Sequence, residues 1–237
     1  LFNSMRLVEA IGTTHRLEIL TQTRGRRSRV AALLDGDLIV ADPNPGLVVE
    51  RLLASFDRFV LDASPGSLHL HAGLVAARGS GGVLVVGGSG AGKSTLVAAL
   101  TLRDHAYLTD EMVSLPDQGA PADGLRRPLI LKPGSSDRFP DYASVLADRP
   151  WQETWARPIP PWRLAGGVLY SPVDVTMVVF CDRNDRYGSA TLEVVHPAVA
   201  AVQLVGHCFD AVRQPSYLQT LCKLTASAHC IRARYRE

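Results

Sequence analysis

Eight consecutive residues, Gly87-Gly88-Ser89-Gly90-Ala91-Gly92-Lys93-Ser94, fit the pattern G-x-x-x-x-G-K-[ST]. Glycines let a backbone curl so that successive N–H groups face inward at phosphate oxygens, and the N-terminus of a following helix adds partial positive charge. Lys93 would reach the outer phosphates of a nucleoside triphosphate, and the Ser94 hydroxyl would ligate magnesium. Gly87, Ser89, Gly90, Ala91, Gly92, Lys93, Ser94 and the adjoining Thr95 are therefore the nucleotide-binding candidates. A plain glycine turn between a strand and a helix would carry similar glycines but has no use for the lysine.

Such a loop specifies a triphosphate without specifying a reaction, which depends on where further acidic and basic groups lie. Asp110-Glu111 follows the short apolar run Ala106–Thr109, about one helix beyond the loop. Adjacent carboxylates can divide two tasks, one holding the metal and one taking a proton from an acceptor hydroxyl. Asp182, after the run Val175–Phe180, offers a different arrangement, since an acidic strand end beside such a loop is common in ATPases. With Asp182 as metal ligand the chain would be a nucleotide hydrolase or a nucleotide-sensing module, although Arg183-Asn184-Asp185-Arg186 gives that stretch the look of a charged turn. His71, in Leu70-His71-Ala72, sits one strand before the loop. Its strand is expected to pair beside Val83–Val86 and bring the ring near the phosphates; a lone histidine on an apolar strand is otherwise structural.

The elements that must position these groups read as an α/β layered core. Val83-Leu84-Val85-Val86, ending in glycines, has the pattern of a buried central strand, and Ser94–Leu102 that of the helix after it. A strand is expected over Leu68–Val75, others at 106–109, 129–131, 175–180 and 191–195, and helices over 197–205 and 217–228. Asp117–Gly124 reads as a loop, and Phe139–Pro161 as irregular chain rich in proline and tryptophan. Upstream, residues 16–42 form short antiparallel strands with a turn at Asp35-Gly36, and apolar spacing predicts a helix over Pro45–Leu61. The basic run Arg24–Arg29 reads as a solvated hairpin tip. Ser64-Pro65-Gly66 marks a seam, giving a small β-rich unit over 1–65 and the catalytic unit over 66–237.

Composition restricts the classes further. With 237 residues, 46% hydrophobic and 20% charged, the chain suits one α/β domain plus a small appendage. A formal charge of +2 gives no basic surface for nucleic acid. No apolar run reaches bilayer length, so no membrane association is expected. Cys181, Cys208, Cys222 and Cys230 have neither disulfide nor zinc spacing, and a cytoplasmic protein with reduced thiols is the reading.

Taken together, Leu70-His71-Ala72-Gly73-Leu74-Val75, Gly82–Thr95 and Leu108-Thr109-Asp110-Glu111 resemble, in order and spacing, the catalytic domain of the HPr kinase/phosphorylase family. The likeness is greater to the HPr-kinase-related proteins encoded with peptide natural products, including the kinases that phosphorylate a C-terminal serine of lasso peptides. It covers residues 67–131. The resemblance implies an ATP-dependent P-loop kinase with Asp110 as catalytic base, Glu111 as its acidic partner, and His71 and Lys93 as catalytic residues. Ser94, Asp110 and Glu111 would hold Mg2+. The implied partner is a peptide or small-protein phosphoacceptor, with Arg138, Arg149 and Arg157 as anchors for a carboxylate, and homo-oligomerisation is open. Departures from the family, among them Thr95 where it has an acidic residue, Glu111 in place of a second aspartate and the missing second glycine-rich signature, weaken phosphorylase activity and HPr as the substrate.

Overall fold

The computed structural model describes residues 3–6, 16–24, 27–64, 66–116, 121–132, 134–142, 157–184, 188–209 and 216–236. Its contacts divide at Ala63/Ser64 into two compact units. The first is a four-stranded antiparallel sheet, β1 (Asn3–Arg6), β2 (Arg16–Arg24), β3 (Arg27–Leu34) and β4 (Asp37–Asp42), followed by α1 (Pro45–Ala63). Asp35 and Gly36 both have positive φ, 54° and 91°, the geometry a two-residue hairpin needs to match strand twist. Asn44 caps α1, its Oδ1 accepting the Gly46 N–H at 2.9 Å, and Pro45 takes the first helical position, where no N–H is missed. Ala32, Val40 and Val48 form this unit's buried core. β2 and β3 pair as far as Arg24↔Arg27, so the basic run is at a hairpin end; Gly25 and Arg26 lie outside the described residues. β1 has no sequence signal, since Asn3-Ser4-Met5-Arg6 lacks a strand-forming run.

Along the second unit come β5 (Ser67–His71), β6 (Gly73–Ala77), β7 (Gly81–Val86), α2 (Lys93–Thr101), β8 (Ala106–Thr109), β9 (Met112–Pro116) and β10 (Asp123–Gly124). Then follow β11 (Leu129–Leu131), β12 (Arg157–Ile159), β13 (Val175–Arg183), β14 (Thr191–Val194), α3 (Pro197–Val205), α4 (Tyr217–Ser227) and β15 (His229–Tyr235). A six-stranded mixed sheet in the order β14-β15-β13-β7-β6-β8 forms the centre. β7 lies between β13, parallel to it, and β6, antiparallel to it. A three-stranded sheet, β10-β9-β5, and the pair β11-β12 complete the unit. Side chains alternate across the large sheet. Leu84 and Val86 join a core with α3, α4 and the three-stranded sheet, whereas Val83 and Val85 join α2, Leu129, Leu131 and Ile159 on the other face. Two covered faces explain why β7 is a continuous apolar run.

Three expectations are corrected. The strand over Leu68–Val75 breaks at Ala72, whose N–H donates to the Glu111 carbonyl at 3.1 Å. β6 alone pairs with β7, while β5, carrying His71, pairs with β9 (His71↔Met112). Phe139–Pro161 is not irregular throughout its described part, because Phe139 and Tyr142 are buried and β12 pairs with β11. Further strands were not anticipated, among them β10 within the expected loop Asp117–Gly124. β9 follows the acidic doublet directly, and β15 inserts between β13 and β14, its charged and apolar residues alternating along Ile231–Tyr235. Among the described residues no helix is long and apolar enough to cross a membrane.

Gly73 shows how closely α2 sits on β6, since a Cβ there would lie 2.5 Å from Val97 Cγ2. Because the obstructing atom is a side-chain tip, the clash can be relieved from the other side. Gly73→Ala is expected to cost about 1–3 kcal/mol. In combination with Val97→Ala the two costs should fall short of additive, as a double-mutant cycle of denaturant melts would measure; simple additivity would refute the contact.

Candidate functional site

The glycine-rich segment leaves the end of β7 and turns into the start of α2. Gly87 is buried against β13, where a Cβ would approach the Cys181 carbonyl oxygen to 2.8 Å, so only glycine fits. Gly90 and Gly92 have φ of 79° and 93°, a left-handed backbone that other residues rarely adopt. Gly92 is also covered by Tyr235 of β15, whose hydroxyl donates to the Ala91 carbonyl. Gly88, Ser89 and Gly90 remain exposed. Lys93 folds back beneath them, its Nζ donating to the carbonyls of Gly87 at 2.9 Å and Gly88 at 3.4 Å. Burial lowers the pKa of this ammonium, with Glu111, Cys181 and Asp110 pulling it back up.

The acidic doublet meets this loop through its first member. Thr109 Oγ1 accepts the N–H groups of Glu111 and Met112 at 3.2 and 3.3 Å, making the tight turn that carries the chain from β8 into β9. The turn directs Asp110 inward, where it is only 2% exposed. Its Oδ2 accepts the Ser94 hydroxyl at 3.1 Å and the Ile130 N–H at 3.2 Å, and its Oδ1 accepts the Tyr107 phenol at 3.2 Å. Burial raises this carboxyl from 3.8 to about 6 and outweighs the opposing effects of Arg127 and the Ile130 and Ser94 hydrogen bonds. Thr95 turns another way, its hydroxyl donating to Ser135 Oγ at 3.2 Å in the turn after β11.

Glu111 lies outside this buried pocket. One oxygen is 3.5 Å from His71 Nε2 and the other 3.5 Å from an Arg127 nitrogen, so its oxygens face His71 and Arg127 rather than Ser94. The His71 ring stacks on Phe209, centroids 5.6 Å apart and 21° between planes. His71 reaches this place from the edge of the small sheet and not from the strand beside β7. The segment 207–209 pairs along β5, the His71 N–H donating to the His207 carbonyl at 2.7 Å and the Phe209 N–H to the His69 carbonyl at 2.9 Å. The His207 ring has its pKa lowered by burial, then by Lys93 and His71.

The structure thus brings Lys93, Ser94, Asp110, Glu111 and His71 together around the start of α2. Asp182 follows Cys181, the β13 residue against which Gly87 packs. Asp182 itself lies within β13, in register with Arg234, and its Oδ2 is 3.5 Å from Arg234 Nε. The charged-turn reading is corrected to this extent, because the strand runs through Arg183. Arg138 is exposed, Arg149 lies outside the described residues, and of Arg157 the backbone alone is described. Sequence reading missed Tyr107, Arg127, His207, Phe209 and Tyr235, which arrive from β8, the approach to β11, the end of α3 and β15. No family model and no curated protein matches the chain. Function is therefore argued from the site alone. Among the described residues no group of three or more His, Cys, Asp and Glu side chains is arranged to hold a metal by itself.

The raised carboxyl of Asp110 has a consequence for stability. Its protonated form favours the fold, a contribution complete below about pH 4 and lost as pH rises through about 6, so above that the buried charge is a net cost. In magnesium-free buffer Asp110→Asn should melt higher than the natural protein at pH 7.5, by at most about 3 kcal/mol. The difference should shrink to nothing near pH 4. A variant that melts lower at pH 7.5 would show that the lost hydrogen bonds outweigh the buried charge.

Proposed function

We propose that the second unit is an ATP-dependent, magnesium-assisted kinase, a P-loop enzyme that transfers a phosphoryl group to a hydroxyl, that of a serine in a peptide or small protein. The observation that carries this reading is the contact of Ser94 Oγ with Asp110 Oδ2 at 3.1 Å. It joins the last residue of the glycine-rich loop to the first of the acidic doublet, in a pocket where a carboxylate is otherwise costly.

A hydroxyl and a buried carboxylate are hard oxygen donors, which suit magnesium, an ion that completes its shell with phosphate oxygens and water. Ser94 and Asp110 fit that role, whereas Glu111, turned to His71 and Arg127, fits it less well. When bound, magnesium neutralises charge on the phosphate oxygens. The remaining work falls to the protein. The loop's N–H groups and the start of α2 cradle the phosphates. Lys93 exchanges the carbonyls of Gly87 and Gly88 for the outer phosphates, and its charge stabilises the transferring group. Asp110 is ionised at neutral pH and takes the acceptor's proton as the acceptor oxygen bonds to the γ-phosphorus and ADP departs, its pKa of about 6 being that of the metal-free site. His71 and Glu111 form the rim on which the acceptor is oriented.

Incubation with γ-labelled ATP, magnesium and a synthetic peptide ending in serine tests this. Label on the peptide is the expected outcome. Labelled free phosphate in place of peptide label would make the chain a hydrolase, and nucleotide binding without either would make it a sensing module. Asp110→Asn should lower transfer by about 10²–10⁴-fold while ATP still binds, and Lys93→Ala should lose both. Transfer at the natural rate by Asp110→Asn would remove Asp110 as the base.

A further inference from the structure

Building on the kinase reading, we infer that Tyr107 is the positioning residue of the Asp110 carboxylate, holding Oδ1 inward so that Oδ2 is the oxygen presented to the start of α2. The two oxygens are not equivalent. Oδ2 takes the Ser94 hydroxyl and the Ile130 N–H, whereas Oδ1 takes the phenol of Tyr107. The terminal torsion of an aspartate is broad, so a carboxylate held on one oxygen alone could swing its plane off the Ser94 and Ile130 donors. A donor on Oδ1 removes that freedom.

Tyr107 is suited to the task because it cannot itself move. Its side chain is fully buried among Val75, Val85, Val97 and Leu129, and its backbone is fixed on both sides, its N–H donating to the Gly167 carbonyl at 2.9 Å and its carbonyl accepting the Leu169 N–H at 3.0 Å. A phenol has one hydrogen to donate. The second acceptor within reach of Tyr107 Oη is the Arg127 carbonyl, at 2.9 Å. The same phenol therefore lies between the Asp110 carboxylate and the backbone of the residue whose guanidinium meets Glu111. The buried hydroxyl meets Asp110 from a strand position where sequence alone suggests only core packing.

Tyr142 provides a matched control. It is buried in the same cluster, and its phenol lies 2.9 Å from Thr101 Oγ1 at the last residue of α2, at the opposite end from Ser94. Tyr107→Phe and Tyr142→Phe each remove one buried phenolic hydrogen bond, but only the first touches Asp110. Tyr107→Phe should lower kcat for transfer to the serine peptide about tenfold, with KM for ATP within about twofold. Tyr142→Phe should leave kcat within about twofold while lowering Tm to a similar degree. A crystal structure of Tyr107→Phe should show the Asp110 carboxylate turned away from the paired contacts with Ser94 and Ile130. An unchanged kcat in Tyr107→Phe, equal losses in both variants, or a rise in KM for ATP alone would each overturn the inference while leaving the kinase reading in place. If the natural protein transfers no phosphoryl group, the kinase reading fails instead. The carboxylate's orientation in the Tyr107→Phe crystal structure then decides the positioning, a turned carboxylate supporting it and an unturned one overturning it.

Discussion

A carboxylate buried to within 2% of full enclosure is the constraint around which the second unit is organised. Asp110 is tolerated there because donors arrive from three separate elements, Ser94 at the start of α2, Tyr107 on β8 and the Ile130 N–H on β11. Each hydrogen bond to a charged group returns about 1.5–3 kcal/mol. Even together they do not cancel the desolvation, which is why the carboxyl remains raised to about 6. The same enclosure that costs stability raises the carboxyl towards neutral pH, the property on which the proposed chemistry draws.

Several other features follow from getting those elements to one point. α2 must lie close on β6, which explains the absence of a side chain at Gly73. The loop before α2 must curl without obstruction, which requires glycine at Gly87 against β13 and at Gly92 under Tyr235. β8 must reverse sharply into β9, and Thr109 makes that reversal by taking two backbone N–H groups. Glu111 is left at the rim by this turn, between His71 and Arg127. The two halves of the acidic doublet thus occupy unlike environments although they are adjacent in the chain, the arrangement in which two carboxylates take different roles.

Much of this was legible beforehand, and the parts that were have a local cause. The glycine-rich loop, the strand before it and the helix after it depend on residues within some twenty positions of one another, so their pattern survives in the sequence. The Asp35-Gly36 hairpin and the capped start of α1 are legible for the same reason. What was misread depends on distant partners. Leu68–Val75 reads as one strand, and its halves join different sheets because the Ala72 N–H is taken by the distant Glu111 carbonyl. β15 owes its place to its partners, since it lies between β13 and β14. Tyr107 and Tyr142 look like ordinary core tyrosines, and their phenols acquire distinct partners only when α2 is in place.

The amino-acid sequence by itself therefore determined the α/β class, the loop at Gly87–Ser94 and the acidic doublet as its companion, since each is written in residue types at short and regular spacing. Tertiary structure decided that Asp110 is the carboxylate that meets Ser94, and it set Asp182 beside Arg234. It also decided that His71 reaches the site from the small sheet, and that Arg127, His207 and Phe209 stand beside it. These outcomes turn on hydrogen bonds and burial between segments far apart in the chain. Whether a charged side chain is enclosed or left at the rim is set by what packs over it, and its own sequence neighbours carry no record of that.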